Sequence, residues 1–113
     1  MSAADVFNIP VTPADEAQWS FLHMALHRGQ NLAIFRKYNA ILPEYVLDPV
    51  NFASPGVWLE QHQQMHNNMD SILGISAINL VDVDLSDLGE RDGWIQEHAQ
   101  LHQSETNALG ITA

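Results

Sequence analysis

The stretch WLEQHQQMH, residues 58–66, decides how this chain reads, because two others spell it again: WSFLHMALH at 19–27 and WIQEHAQLH at 94–102. Each is a Trp, a His four residues on, and a second His four residues after that. Together they use all three tryptophans and all six histidines of the 113-residue chain, so they form an internal repeat rather than scattered usage. On a helix, residues four apart share a face and advance only about 40° around the axis. Each triplet is therefore a single stripe. Leu22 and Leu26, Leu59 and Met65, and Ile95 and Leu101 set apolar side chains beside the stripes, which turns them toward an interior or a partner.

Working outward, the ends of three helices can be read. Thr12-Pro13 is a cap followed by a first-turn proline, and Asp15 and Glu16 then lie where the helix dipole favours negative charge. Arg36 and Lys37 suit the opposite end, so the first helix is expected over about 13–39, with Gly29 a weak point inside it. Ser54-Pro55 repeats the start signal, and Gly74-Ile75 stops a second helix over about 55–75. Gly110-Ile111 repeats that stop for a third helix, expected over about 90–111 with a start at Asp87 or Glu90. Residues 1–11 lack periodicity and read as an extended arm. The segment 40–54 holds two prolines but also Leu42, Tyr45, Val46, Leu47, Val50 and Phe52, so it is expected to pack along the helices. Residues 76–89 alternate apolar and acidic side chains and predict a short strand or an extended loop. Asp82, Asp84 and Ser86 have calcium-loop spacing, but the sixth position is Asp87 rather than Gly and the twelfth is Gly93 rather than Glu, which excludes an EF-hand.

The expected fold is thus mainly α: a small single-domain bundle of three principal helices joined by two long ordered connections. Connections of this length allow parallel neighbours around a pseudo-threefold axis, and an up-down-up bundle is equally compatible with them.

Composition narrows the function. Fourteen acidic residues against four basic ones give a formal charge of −10, which excludes phosphate-neutralising nucleic-acid binding. With no cysteine there is neither a disulfide framework nor a thiolate metal site. No apolar run is long enough to span a bilayer, and no signal-peptide layout opens the chain.

Chemistry then rests on the histidines. Two His at this spacing can chelate one divalent ion from one helical face, and a second helix can supply the remaining ligands. His23, His27, His62, His66, His98 and His102 are the candidate metal ligands. Six could make two stacked three-His sites with open positions, or one four-His site and a spare pair. All-nitrogen ligation admits zinc, copper, nickel or iron, with zinc the expected ion. The alternative without metal is a duplicated packing unit in which His stacks on Trp and hydrogen-bonds a neighbour. For catalysis the signals are fewer. Zincins need Glu beside the first His, where this chain has Met24, Gln63 and Ala99, and no Ser-His-Asp set or phosphate loop is legible. Continued in steps of four, the stripes reach Asn31, Asp70 and Thr106, so Asp70 alone could add a carboxylate ligand. Glu60 and Glu97 lie off the stripes, where either could orient an imidazole. A hydrolytic enzyme with an open three-His site is the second functional expectation. The three Trp read as core anchors, and Asp82 to Asp92 as a solvated loop.

The string YVLDP at 45–49, followed by WLEQHQQMHNNMDSILGI and WIQEHAQLHQSETNALGI, resembles small acidic proteins encoded in tailed-bacteriophage genomes, over about residues 19–111. The resemblance brings no activity and no functional residue with it. It implies a product of the bacterial host cytoplasm, with incorporation in a virion as an option. Its partners would be other proteins, phage particle components among them, with a homo-oligomer left open and neither nucleic acid nor membrane involved. The leading expectation is a non-enzymatic structural or interaction protein with a His-rich, transition-metal-binding helical core.

Overall fold

Three helices carry the three copies of the repeat in the computed structural model, which describes residues 16–43 and 50–110: α1 (Glu16–Tyr38), α2 (Trp58–Leu73) and α3 (Leu88–Ala108). The expected arm at 1–11, the Thr12-Pro13 start, Tyr45 to Pro49 and Ile111 lie outside the described residues. None of the helices is long and apolar enough to cross a membrane, among the described residues.

The helix ends follow local chemistry. The Asp87 side chain accepts the Glu90 N–H at 2.9 Å and so caps α3. Gly74, at φ 73°, closes α2 by donating its N–H to the Asp70 carbonyl, and Gly110 adopts the same left-handed conformation at φ 76° after α3. One boundary differs from expectation. α2 begins at Trp58 rather than at Pro55, because Gly56 takes a left-handed φ of 56° and breaks the turn; Val57 then precedes the helix without a side-chain cap.

The order of layers fixes the helix direction. The Trp19, Trp58 and Trp94 rings meet at centroid separations of 6.0–6.2 Å. The first histidines of the repeats, His23, His62 and His98, meet in the next layer at 4.7–4.8 Å. His27, His66 and His102 follow at 4.5–4.7 Å. Every helix crosses the layers in the same order from N to C, so all three run parallel around a pseudo-threefold axis. The up-down-up alternative is not what forms.

Parallel neighbours need crossing connections, and these are pinned to the Trp end. Val50 N–H donates to Ser20 Oγ at 3.0 Å, and Phe52 N–H donates to the Glu16 carboxylate. Phe52 also meets Trp19 edge-on at 5.4 Å, as the apolar content of the first connection predicts. The second connection is an extended loop with no strand. Asn79 accepts the Val81 and Asp82 N–H groups and Asp84 accepts that of Ser86, so side chains take the place of a ladder. Leu80 and Leu85 insert into the interior, and Trp94 Nε1 donates to the Leu80 carbonyl at 3.0 Å.

These contacts build an apolar plug of Trp19, Trp58, Trp94, Val50, Phe52, Leu59, Met65, Leu85 and Ile95 above the histidines. A smaller one, Ile34, Met69 and Leu109, lies below. Each buried Trp removes about 150–250 Å² from water, about 4–6 kcal/mol of transfer free energy, which offsets the burial of polar rings between the plugs.

Candidate metal centre

All six predicted histidines are buried between the plugs, none more than 3% exposed. Each Trp stacks on the first His of its own helix, with ring centroids 4.6–4.7 Å apart and planes within 7–12°. That stack sets the ring plane of His23, His62 and His98. The second His of each helix lies edge-on to the first at 4.4–4.5 Å.

In this arrangement every Nε2 points at one place. His23, His62 and His98 form a triangle of Nε2 atoms with sides of 3.0–3.1 Å. Within each helix the two Nε2 atoms are 3.0–3.1 Å apart. His66 also lies 3.2 Å from His98 across the layers, and the six-histidine set converges with its ligand atoms within 4.8 Å of one another. The cross-layer neighbours repeat cyclically: His27 with His62, His66 with His98, and His102 with His23, at centroid separations of 5.2–5.4 Å. His27 and His98 stand opposite, at 6.5 Å. Two staggered triangles of this kind are an octahedron. The seven nitrogen–nitrogen separations of the upper triangle, of the three helices and of His66 with His98 are 3.0–3.2 Å, and an octahedron with all its edges of that length would have its centre at the edge divided by √2, about 2.1–2.3 Å from each nitrogen, a metal–imidazole bond length. Opposite nitrogens would then be about 4.2–4.5 Å apart, inside the 4.8 Å limit of the cluster. The sequence left open two three-His sites or one four-His site with a spare pair; the structure brings all six histidines into one buried cluster.

Hydrogen bonding does not account for this convergence. A neutral imidazole has one N–H and one lone pair. His98 Nε2 is nevertheless within 3.0–3.2 Å of the Nε2 atoms of His23, His62, His66 and His102, four neighbours for an atom that is either one donor or one acceptor. His102 Nδ1 faces the acceptor Gln30 Oε1 at 2.9 Å, so that ring carries its proton on Nδ1 and presents a lone pair at Nε2; His66 Nδ1 faces Glu105 Oε2 at 2.9 Å and does the same when Glu105 is ionised. Protonation is no remedy, because burial holds all six rings below the usual imidazole range, His66 at about 4. For the other five, neighbouring imidazoles push the same way. A cation at the centre would give the converging nitrogens a common partner.

Below the lower triangle lies a buried polar layer. Gln30 donates to the His102 carbonyl at 3.2 Å and to Thr106 Oγ1 at 3.1 Å, which fixes its oxygen on His102. Glu105 reaches His66 and also lies 3.4 Å from His102 Nδ1. Burial, followed by the nearby Glu105 carboxyl, pushes Asp70 up to about 8, and burial pushes Glu105 up to about 7. The orienting roles expected of Glu60 and Glu97 fail, since both are exposed on outer faces. Glu105 and Gln30 orient imidazoles in their place. Their signal was present: each stands seven residues after the first His of its helix, a step on the same face that counting in fours passes over.

No protein-family model, curated protein or solved structure matches this chain.

Proposed function

We propose that this chain is a non-enzymatic, metal-braced helical module that holds one six-coordinate divalent transition ion on the Nε2 atoms of His23, His27, His62, His66, His98 and His102. The single observation that carries the reading is the convergence of six imidazole nitrogens in a buried interior. Zinc in structural sites prefers four tetrahedral ligands, for which nitrogen–nitrogen edges would be about 3.3–3.4 Å at bond lengths of 2.0–2.1 Å. The shorter edges and six donors here favour manganese, iron, cobalt or nickel over zinc and over tetragonal copper. A six-nitrogen set fills the octahedron and offers no open position for water, which argues against the hydrolytic alternative with a three-His site. The ion instead ties together three parallel helices whose order along the chain requires long connections, and so fixes the shape of an interaction module. Service as a phage structural or interaction protein, made in the host cytoplasm and built into the particle, belongs to this proposal through the sequence resemblance.

Cobalt substitution tests it. Tag-free protein stripped with chelator and titrated anaerobically with Co²⁺ should saturate at one ion per chain with the weak visible bands of six-coordinate cobalt. Two ions per chain, or the intense bands of tetrahedral cobalt, would refute the octahedral site.

A further inference from the structure

The geometry points to Asp70 and Glu105 as the paired counter-charges of the bound ion, which make the centre specific for a divalent cation. This rests on the six-histidine reading and adds the charge state of the ligand. Six neutral imidazoles contribute donors but no charge, so a divalent ion held by them alone would sit in the interior with its full charge uncompensated, at heavy desolvation cost. Among the described residues two carboxylates are buried, Asp70 and Glu105, both in the layer beneath the lower histidine triangle. Each places an oxygen within 4.8 Å of a His66 ring nitrogen. Glu105 Oε2 accepts from His66 Nδ1 at 2.9 Å and Oε1 lies 3.4 Å from His102 Nδ1, so its charge acts through the ring edges that face away from the ion.

Among the described residues, the ion pairs to these acids come from histidine. Asp70 Oδ1 and Asp70 Oδ2 are buried with no donor group on them, and the Asp70 and Glu105 carboxyls lie beside each other. The buried cation Arg91 is at the other end, over the Phe52 ring and donating from Nε to the Leu85 carbonyl at 2.7 Å. The repeat shows how the charge is set. Three and four residues after the second histidine, α1 carries Gln30 and Asn31, α2 carries Met69 and Asp70, and α3 carries Glu105 and Thr106. Two helices supply one acid each and the third supplies amides. With the ion bound and both carboxyls ionised, two negative charges cancel a 2+ ion and leave one charge of a 3+ ion uncompensated. Glu105 and Asp70 are positioning and charge-setting residues, not ligands.

The test uses the iron-loaded full chain at fixed pH, with Fe³⁺/Fe²⁺ midpoints from mediated potentiometry and Mn²⁺ affinities from competition with a chelator. Glu105→Gln and Asp70→Asn each remove one negative charge while keeping shape. Each should raise the midpoint and weaken Mn²⁺ binding by about tenfold or more. Gln30→Glu adds a third charge on the helix that lacks one and should lower the midpoint. Packing damage does not produce opposite signs from near-isosteric changes in one layer. If the unaltered chain takes up no metal, the six-histidine reading itself falls. If it loads one ion but the midpoints of all three variants equal that of the unaltered chain, the counter-charge inference is overturned and the six-histidine site stands. Should Glu105→Gln fail to fold, Asp70→Asn and Gln30→Glu still decide it.

Discussion

Acidification of the metal-free protein should unfold it cooperatively between about pH 6.5 and 5, where an ordinary acidic protein is stable. The six imidazoles are held neutral by burial, so their folded pKa values lie below the unfolded value of about 6.5. The unfolded chain therefore binds more protons as pH falls below 6.5. Their stabilising contribution is complete above that value and is lost as pH drops toward the folded pKa values. For His66, displaced to about 4, the loss is about 2.5 pH units at 1.36 kcal/mol each, or about 3 kcal/mol once pH falls below 4. The other five act in the same direction. Asp70 and Glu105 oppose them, since their raised values, about 8 and about 7, mean that the folded state holds those protons and loses stability as pH rises toward 8. Near pH 5.5 six histidines outweigh two carboxyls, so net uptake on unfolding is roughly four protons and the slope is about 5 kcal/mol per pH unit. A whole domain has only about 5–15 kcal/mol to lose. Maximal stability of the metal-free form should lie near pH 6.5–7, and a bound ion should move the acid limb to lower pH, because protons and metal compete for Nε2. Urea melts of chelator-stripped protein from pH 4.5 to 8, paired with imidazole NMR titrations, measure this. Equal stability at pH 7 and pH 5, or histidines titrating near 6.5, would refute the buried neutral cluster.

Three further outcomes are expected. Trp19→Ala should cost about 3–5 kcal/mol in denaturant melts, because its ring is buried against Trp58, Trp94, Phe52 and His23. Asp87→Ala should lose about 1 kcal/mol through the lost α3 cap while leaving metal stoichiometry at its original value, read by elemental analysis. Glu97→Gln should leave metal affinity unchanged in the same chelator competition that Glu105→Gln disturbs, since Glu97 is exposed and Glu105 is bonded to His66.

The three helices, the glycine stops at Gly74 and Gly110, and the set of six histidines were legible in the sequence, because each is a local matter of helical period, backbone conformation or repeated spacing. The apolar residues beside each stripe turned it toward an interior or a partner, and the structure makes it the interior. What the sequence could not determine is how far apart the stripes stand in height, because a four-residue step fixes positions along one helix and says nothing of the offset or direction of the next. Tertiary packing decides that. Val50 and Phe52 from one connection, and Leu80 and Leu85 from the other, lock the three Trp at one level, and the parallel helices then bring both histidine layers into register. Two triangles in register are one octahedron rather than two separate sites. Glu105 and Gln30 gain their roles for the same reason: a residue seven positions beyond a histidine touches a ring on a neighbouring helix only when the helices run parallel at this offset.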